Sequence, residues 1–488
     1  MQQAEAELIA EGYSARLLMQ QASVGIAEAL MQFFPEPGYC VAYLGKGNNA
    51  GDAITALNIL KRHGWETAYR AAYPRNEWGD LLQRQSQDST PPHKELKEPP
   101  LPHINKPLIL LDGLLGIGAK NSLRQEIANL CSEINYLRSR CGAVKTIAID
   151  IPTGLDTDLG IPQPNTVEAD FTMCIGAVKT GLIADNATAY IGRLVCINLP
   201  KLVPNAIPGT EIITSKRLTK FLASRPYTDY KNKRGHVGII AGSEGMLGAA
   251  KLCSEAALRA GAGLVTLYVH RTIYPIIAGN IIPEVMVQPV ECYADIELRK
   301  HSAFLIGPGI GAVTEEDAEA IQVILELGTP TVLDADGLNL AAYMNWILGP
   351  HILATPHHGE LERLIPDIIN CETRTDCVDN FLNIHEAALI YKGARSIVSQ
   401  QGKALYYNIT GGPAMATAGQ GDVLAGVCAG LLAQGESPLV SGVIGTFLCG
   451  RASEIAISSG HATQETLTAG DTLRHLNAAF SSTARLCY

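Results

Sequence analysis

Three short stretches in the first half of this chain place oxygen-bearing side chains and glycines where a small ligand could be held. GKGNNAGD (residues 45–52) follows the apolar run VAYL and offers Asn48, Asn49 and Asp52. DGLLGIGAKNS follows LILL and offers Asp112, Gly116, Gly118 and Ser122; DIPTGLDTD follows TIAI and offers Asp150, Thr153 and Asp156. Amide and carboxylate oxygens mixed with main-chain carbonyls suit a hard cation better than zinc. Glycines that expose N–H groups ahead of a helix suit a phosphate. Gly-Asn-Asn and Asp-Gly are also ordinary turn formers, and Asp before a helix is often only a cap. Recurrence at three successive strand ends is what points to a site. In the second half, GGPAMATAGQGDVLAG (411–426) sets a Gly-x-Gly-Asp loop at the opening of a small-residue helix. Free N–H groups and the positive helix end there suit an anion. Asp422, in the first turn, is placed to take a proton from a hydroxyl while phosphate binds beside it.

These stretches need elements to carry them. YCVAYLG, PLILLDGLLG, VKTIAIDIP and ADFTMCIG are short apolar runs bounded by Gly, Pro or Asp. Amphipathic segments such as AITALNILKRHG and SLRQEIANLCSEINYLRSR separate several of them. That rhythm predicts a parallel sheet covered by helices, with ligands at the carboxyl ends of the strands. Residues 76–107 are polar and proline-rich and read as a surface excursion. Around PKLVPNAIPGTE periodicity fades, which sets the expected domains at 1–209 and 210–488. Beyond it, helical and strand-like segments resume in GHVGIIAGS, GLVTLYV, SAFLIGPGIG, TVLDADGLN, HILATPHHGE and SIVSQQGKALYYN, and GDVLAGVCAGLLAQG reads as a late Gly/Ala-rich helix.

The bulk composition narrows the classes. The chain has 488 residues, 47% hydrophobic and 18% charged, with a net charge of -10. No Lys/Arg run reads as a nucleic-acid or anionic-membrane surface, so acidic ligands must be captured by local loops. The 12 cysteines form no CxxC and no Cys/His cluster with zinc spacing, and read as reduced packing residues of a cytoplasmic protein. No apolar stretch reads as long enough for a membrane span, and no signal peptide opens the chain.

GNNAGD, LDGLLGIG and AIDIPTGLDTDLG, with the opening EGYSARLLMQQAS, resemble the motifs of the YjeF N-terminal family, the NAD(P)H-hydrate epimerases, over about residues 1–205. The resemblance implies a Rossmann-like three-layer α/β/α domain that interconverts the epimers of hydrated NADH or NADPH. By it, Asn48, Asn49, Ala50, Gly51 and Asp52, then Gly116, Ile117, Gly118, Ala119, Lys120, Asn121 and Ser122, and Asp150 contact the hydrate. Asp150 also serves catalysis, and Asn49, Asp112 and Thr153 hold a potassium ion. Ala50 and Ala53 stand where the family has glycines, so each adds a methyl that would strain a backbone of positive φ.

The GxGD loop resembles the ribokinase-like superfamily; no Walker GxxxxGK is present. AGSEGMLGAA, GPGIG, LDADGLN, TPHHGE, YKGARSIV and MATAGQGDVLAG, in that order over about 215–488, resemble the ADP- or ATP-dependent NAD(P)H-hydrate dehydratases. The resemblance implies a ribokinase-like α/β domain in which Ala250, Gly311 and His357 line the hydrate site and Lys392, Gly393, Ala394, Arg395, Ser396 and Gly421 bind the nucleotide. Asp422 is then the base beside the substrate, with Mg²⁺ accompanying ADP or ATP. His358 stands where Pro is more usual, and Gln420 replaces a common Thr. Together the halves imply repair of NADHX and NADPHX by a homo-oligomer that engages neither nucleic acid nor membrane. Two alternatives stay open: a dehydratase carrying a non-catalytic first half, or a vitamin- or sugar-type kinase that keeps its phosphorylated product.

Overall fold

A computed structural model describes residues 1–88, 91–101, 106–118, 122–202, 207–221 and 226–485. The chain divides into two compact units, Met1–Ile207 and Pro208–Tyr488.

The first unit is a parallel sheet of β1 (Tyr39–Leu44), β2 (Glu66–Ala71), β3 (Lys94–Glu95), β4 (Leu108–Gly113), β5 (Val144–Ile149), β6 (Phe171–Ile175) and β7 (Arg193–Ile197). Their order is β3-β2-β1-β4-β5-β6-β7, every pair parallel. The order reverses between β1 and β4, the switch point where such sheets open a crevice. One face is covered by helices Ala15–Phe33 and Asn48–Arg62, the other by Gln125–Arg140, each sealing its own apolar layer. The described part of the 76–107 stretch is largely exposed, as its composition suggests, but it is not structureless. It contributes helix Asp80–Gln87 and edge strand β3, and buries Trp78, Leu82, Gln85 and His93. Polar burial is tolerated there because His93 bonds Asn58 Oδ1 at 2.7 Å and Thr67 Oγ1 at 2.8 Å.

The second unit holds β8 (Thr210–Ile213), β9 (His236–Ile240), β10 (Leu264–His270), β11 (Met286–Val290), β12 (Ala303–Ile306), β13 (Thr331–Leu333), β14 (Ile352–Ala354), β15 (Ala388–Tyr391), β16 (Ile397–Ser399) and β17 (Leu405–Asn408). The sheet runs β11-β10-β9-β12-β13-β14-β15-β16-β17-β8, parallel from β11 to β15 and antiparallel through β16 and β17. Helix Gln420–Ala433 is buried on nearly every face. Gly426 and Gly430 let it approach helix Leu247–Arg259 closely: a Cβ at Gly426 would lie 2.2 Å from the Cys253 carbonyl.

Helix Pro438–Ser458 corrects one expectation. With 21 residues it is long and apolar enough by length and composition to cross a membrane, but its apolar window is 72% buried inside the fold. Gly442 and Gly445 seat it against Val398 and Cys428, so it is a core helix whose partners are other protein surfaces.

Gly426→Ala is therefore expected to cost about 1–3 kcal/mol, the range for overpacking a close-packed interior. Urea unfolding of the variant beside the parent protein measures it.

Candidate functional sites

In the first unit, Asn48–Arg62 begins immediately past the end of β1, with Gly47 as its cap, so the first N–H groups of the helix open onto the crevice. Ala50 and Ala53 take ordinary helical backbone angles, absent from the residues of positive φ, and both methyls belong to the apolar core. The strain expected of alanine at these positions does not arise. Ala53 instead packs on the bare backbone of Gly113, where a further Cβ would lie 2.6 Å away.

Three expected cation ligands converge on the Leu115 peptide. Asn49 Nδ2 donates to Leu115 O at 2.9 Å, and Leu115 N donates to Thr153 Oγ1 at 3.1 Å. Thr153 in turn donates to Asp112, from Oγ1 and from its main-chain N, each at 2.8 Å. Asp112 has no exposed surface, and burial pushes its carboxyl up to about 6 against the opposing pull of these bonds. A small cavity lies alongside, lined by Leu115, Gly116, Thr153 and Gln163 among others. Asn49, Asp112 and Thr153 each carry an oxygen, the ligand type that suits a hard cation better than zinc.

Asp150 follows β5 in a left-handed conformation, φ 65°, uncommon outside glycine. Its Oδ1 accepts from the buried Lys179 ammonium and, at 3.0 Å, from Ile175 N. Lys179 also donates to Ile175 O at 2.9 Å and to Cys174 Sγ at 3.4 Å. Burial works against that ammonium, but Cys174 and Asp150 outweigh it and hold the group above its ordinary value. Nearby Asp52 is pushed well up by burial, and further by the charges of Asp150 and Glu5. Asn48 and Gly118 are exposed, as is Ser122, and Gly116 abuts the Asn49 side chain. Ala119, Lys120 and Asn121 lie outside the described residues.

In the second unit the expected residues gather where β12, β13, β14 and β15 end. Asp334, one residue past β13 and almost wholly buried, accepts from Thr355 Oγ1 at 2.7 Å and from Lys392 Nζ at 2.9 Å. Lys392 lies 3.5 Å from Glu360, too. Burial works against its charge, but the two carboxylates outweigh that and hold the ammonium above its ordinary value. Gly421 completes the floor: a Cβ there would meet Lys392 Nζ at 3.5 Å and an Asp334 carboxylate oxygen at 3.7 Å. Gly419, φ 88°, turns the chain into helix Gln420–Ala433 and sets Asp422 in its first turn. Burial and then Asp334 push the Asp422 carboxyl up to about 6, with Lys392 pulling it back.

His357 caps helix His358–Leu364 in a reciprocal pair with Glu360, and its imidazole remains largely exposed. His358 bonds Tyr391 Oη at 2.7 Å. Gly311, φ 68°, donates its N–H to Asp336 at 2.9 Å. Ala250 has no exposed surface and backs onto Gly242, 2.9 Å from where a Cβ there would stand. The 392–396 loop is braced from below by Arg374, which donates to Arg395 O at 2.6 Å and to Tyr391 O at 3.0 Å. Within that loop Arg395 is buried, Ser396 is partly buried, and Gly393 and Ala394 are exposed. Reading motifs singled out none of Asp334, Glu360, Arg374 and Lys179. Asp334 and Glu360 stood inside LDADGLN and TPHHGE, strand-end motifs rich in charge. Lys179 and Arg374 gave no such signal, because their partners are distant in sequence.

An open parallel sheet with a small pocket where β4 and β5 end, and a second sheet with a GxGD helix beside a Lys/Asp pair, define a Rossmann-like domain and a ribokinase-like one. Residues 15–181 match the family described as YjeF-related protein N-terminus, and 237–475 the family described as NAD(P)H-hydrate dehydratase. A bifunctional NAD(P)H-hydrate repair enzyme of Coxiella burnetii is 30% identical over 482 residues, spanning 96% of this chain and 95% of its own. Its counterpart in Escherichia coli K12 is 28% identical over 456 residues, spanning 90% and 84%. Among solved structures, an ADP/ATP-dependent NAD(P)H-hydrate dehydratase from Bacillus subtilis is similar at a TM-score of 0.50, with 24% identity over 57% of this chain and 100% of that one. A hypothetical protein from Streptococcus mutans gives 0.50 at 25% identity, over 56% and 99%. The chain belongs to the family of bifunctional NAD(P)H-hydrate repair enzymes.

Asp422 carries a pH prediction. Its folded value of about 6 lies above the ordinary 3.8, so the folded state holds the proton more tightly. Its stabilising contribution is complete below about 4 and is lost as pH rises through about 6. The stability of the parent relative to Asp422→Asn should therefore fall by about 2–3 kcal/mol as pH rises across that window, read by chemical unfolding at several pH values. A flat difference would contradict the burial of this carboxyl.

Proposed function

We propose that the first unit epimerises the R and S hydrates of NADH and NADPH in a potassium-dependent site, and that the second dehydrates the S hydrate with ADP as phosphoryl donor. The observation that carries the reading is the Asp334–Lys392 pair beneath Gly421 and Asp422, a cation and a helix N-terminus set beside a carboxylate of raised pKa.

The hydrate carries a hydroxyl on the ring carbon beside nitrogen. Hydroxide leaves poorly and phosphate well, so phosphorylation prepares elimination. Asp422 takes the hydroxyl proton as the oxygen attacks the terminal phosphorus of ADP, and AMP departs. Phosphate then leaves with its C–O bond pair, driven by the ring-nitrogen lone pair. Loss of a proton from the adjacent carbon restores the dihydropyridine. The net change is hydrate plus ADP to NAD(P)H, AMP and phosphate. Lys392, Gly393, Ala394, Arg395, Ser396 and Gly421 are the proposed nucleotide contacts, with Mg²⁺ accompanying the phosphates. Ala250, Gly311 and His357 frame the proposed hydrate side.

Only one face of the hydrate meets both Asp422 and the donor, so the R epimer needs inversion. Inverting a carbinolamine carbon moves a proton off the hydroxyl as the C–N bond opens, and returns it when the ring closes on the other face. Asp150 is the proposed base. Asn49, Asp112 and Thr153 would hold the potassium ion, which supplies positive charge beside the substrate's oxygens. Asn48 to Asp52 and Gly116 to Ser122 are the proposed substrate contacts. A cytoplasmic homo-oligomer is part of the same proposal.

Asp422→Ala is expected to slow dehydration by a factor on the order of 10² to 10⁴, as loss of a general base does. Unchanged turnover would remove Asp422 from the chemistry. Asn49→Ala should abolish potassium stimulation of epimerisation and leave dehydration of pure S hydrate intact; an equal fall in both rates would refute the division of labour.

A further inference from the structure

Lys179 belongs to none of the strand-end motifs, yet it is among the most deeply buried charged groups of the first unit, its side chain 5% exposed. An ammonium has three protons to donate, and all three have acceptors here: Asp150 Oδ1, Ile175 O and Cys174 Sγ. It therefore has no proton left for a ligand in this arrangement. Asp150 is disposed differently. Its Oδ1 takes both Lys179 and Ile175 N, while no group among the described residues bonds Oδ2. A buried ion pair kept only for stability is a poor investment, since desolvating both charges offsets most of their attraction. One that saturates a single carboxylate oxygen, on a residue held at φ 65°, fixes the other oxygen's direction.

We propose that Lys179 is the positioning residue for epimerisation: it clamps Oδ1 of Asp150 so that Oδ2 receives the proton of the hydrate hydroxyl. This rests on the epimerase reading of the first unit. Lys179 acts through Asp150 and does not touch substrate. The other ionisable groups around the pair are Cys174 and Cys196, on adjacent strands β6 and β7, with Asp52 and Glu5 on the helical side. None of these supplies a second cation to replace Lys179.

The test uses the full chain with potassium and without ADP, so that dehydration is silent, and follows R-to-S exchange of NADHX by chromatography. Lys179→Met should lower kcat for exchange by a factor on the order of 10² and leave KM within about threefold. Lys179→Arg, which restores the charge, should retain at least about a tenth of turnover. Dehydration of S hydrate with ADP should be unchanged in both variants. Parental kcat in Lys179→Met would overturn the proposal. If that variant does not fold, a fall in kcat of Lys179→Arg by as much as about 10² would overturn it instead. Absence of exchange in the parent protein would reject the epimerase reading itself, and this role with it.

Discussion

A carboxylate buried at the end of a parallel strand must find donors, and three such carboxylates organise this chain. Asp112 closes β4, Asp150 follows β5, and Asp334 follows β13. Each costs several kcal/mol to desolvate unless it is bonded. The bonds that offset the cost come from neighbouring strand ends: Thr153 for Asp112, Lys179 for Asp150, Lys392 and Thr355 for Asp334. The same bonds aim the remaining groups. Parallel topology makes this possible, because it brings the carboxyl ends of consecutive strands to one edge, where helix N-termini also arrive. Both units use the device, one around the Asp112–Thr153 contact and the other around a Lys/Asp pair beneath a GxGD helix.

The two devices suit different chemistry. Around Asp112 both carboxylate oxygens are held by N–H and O–H donors from Leu114 and Thr153. Around Asp422 the carboxyl is raised toward neutrality by burial and by Asp334. Membership in the repair-enzyme family joins them: a dehydratase reading one face of its substrate leaves the other epimer behind, and an epimerase in the same chain returns it.

Much of this was legible in the sequence. The motifs are local: GNNAGD and GQGDVLAG each open a helix and LDGLLGIG closes a strand, so each sits at one element end. Ala50 and Ala53 were legible as departures, but their helical backbone and the apolar layer that takes their methyls were not. Contacts between distant residues were not legible. Asp334 and Lys392 are 58 positions apart, and Arg374 braces a loop some 20 residues on. β8 is four residues long and pairs with β17 nearly 200 positions later, a register no local pattern announces. Within residues 76–107 the buried groups were not legible where they are Gln85 and His93, polar side chains whose burial depends on partners elsewhere. Helix Pro438–Ser458 shows the converse: hydropathy describes a span, and only packing reveals a core.

The most direct test of two complementary activities in one chain is recovery of the dihydronicotinamide absorbance from an equilibrated R/S mixture of NADHX. The mixture would be incubated with the full-length protein, ADP, magnesium and potassium. The account predicts complete recovery, faster than spontaneous epimerisation allows. A rapid rise that halts at the S fraction, and then creeps at the spontaneous rate, would contradict it.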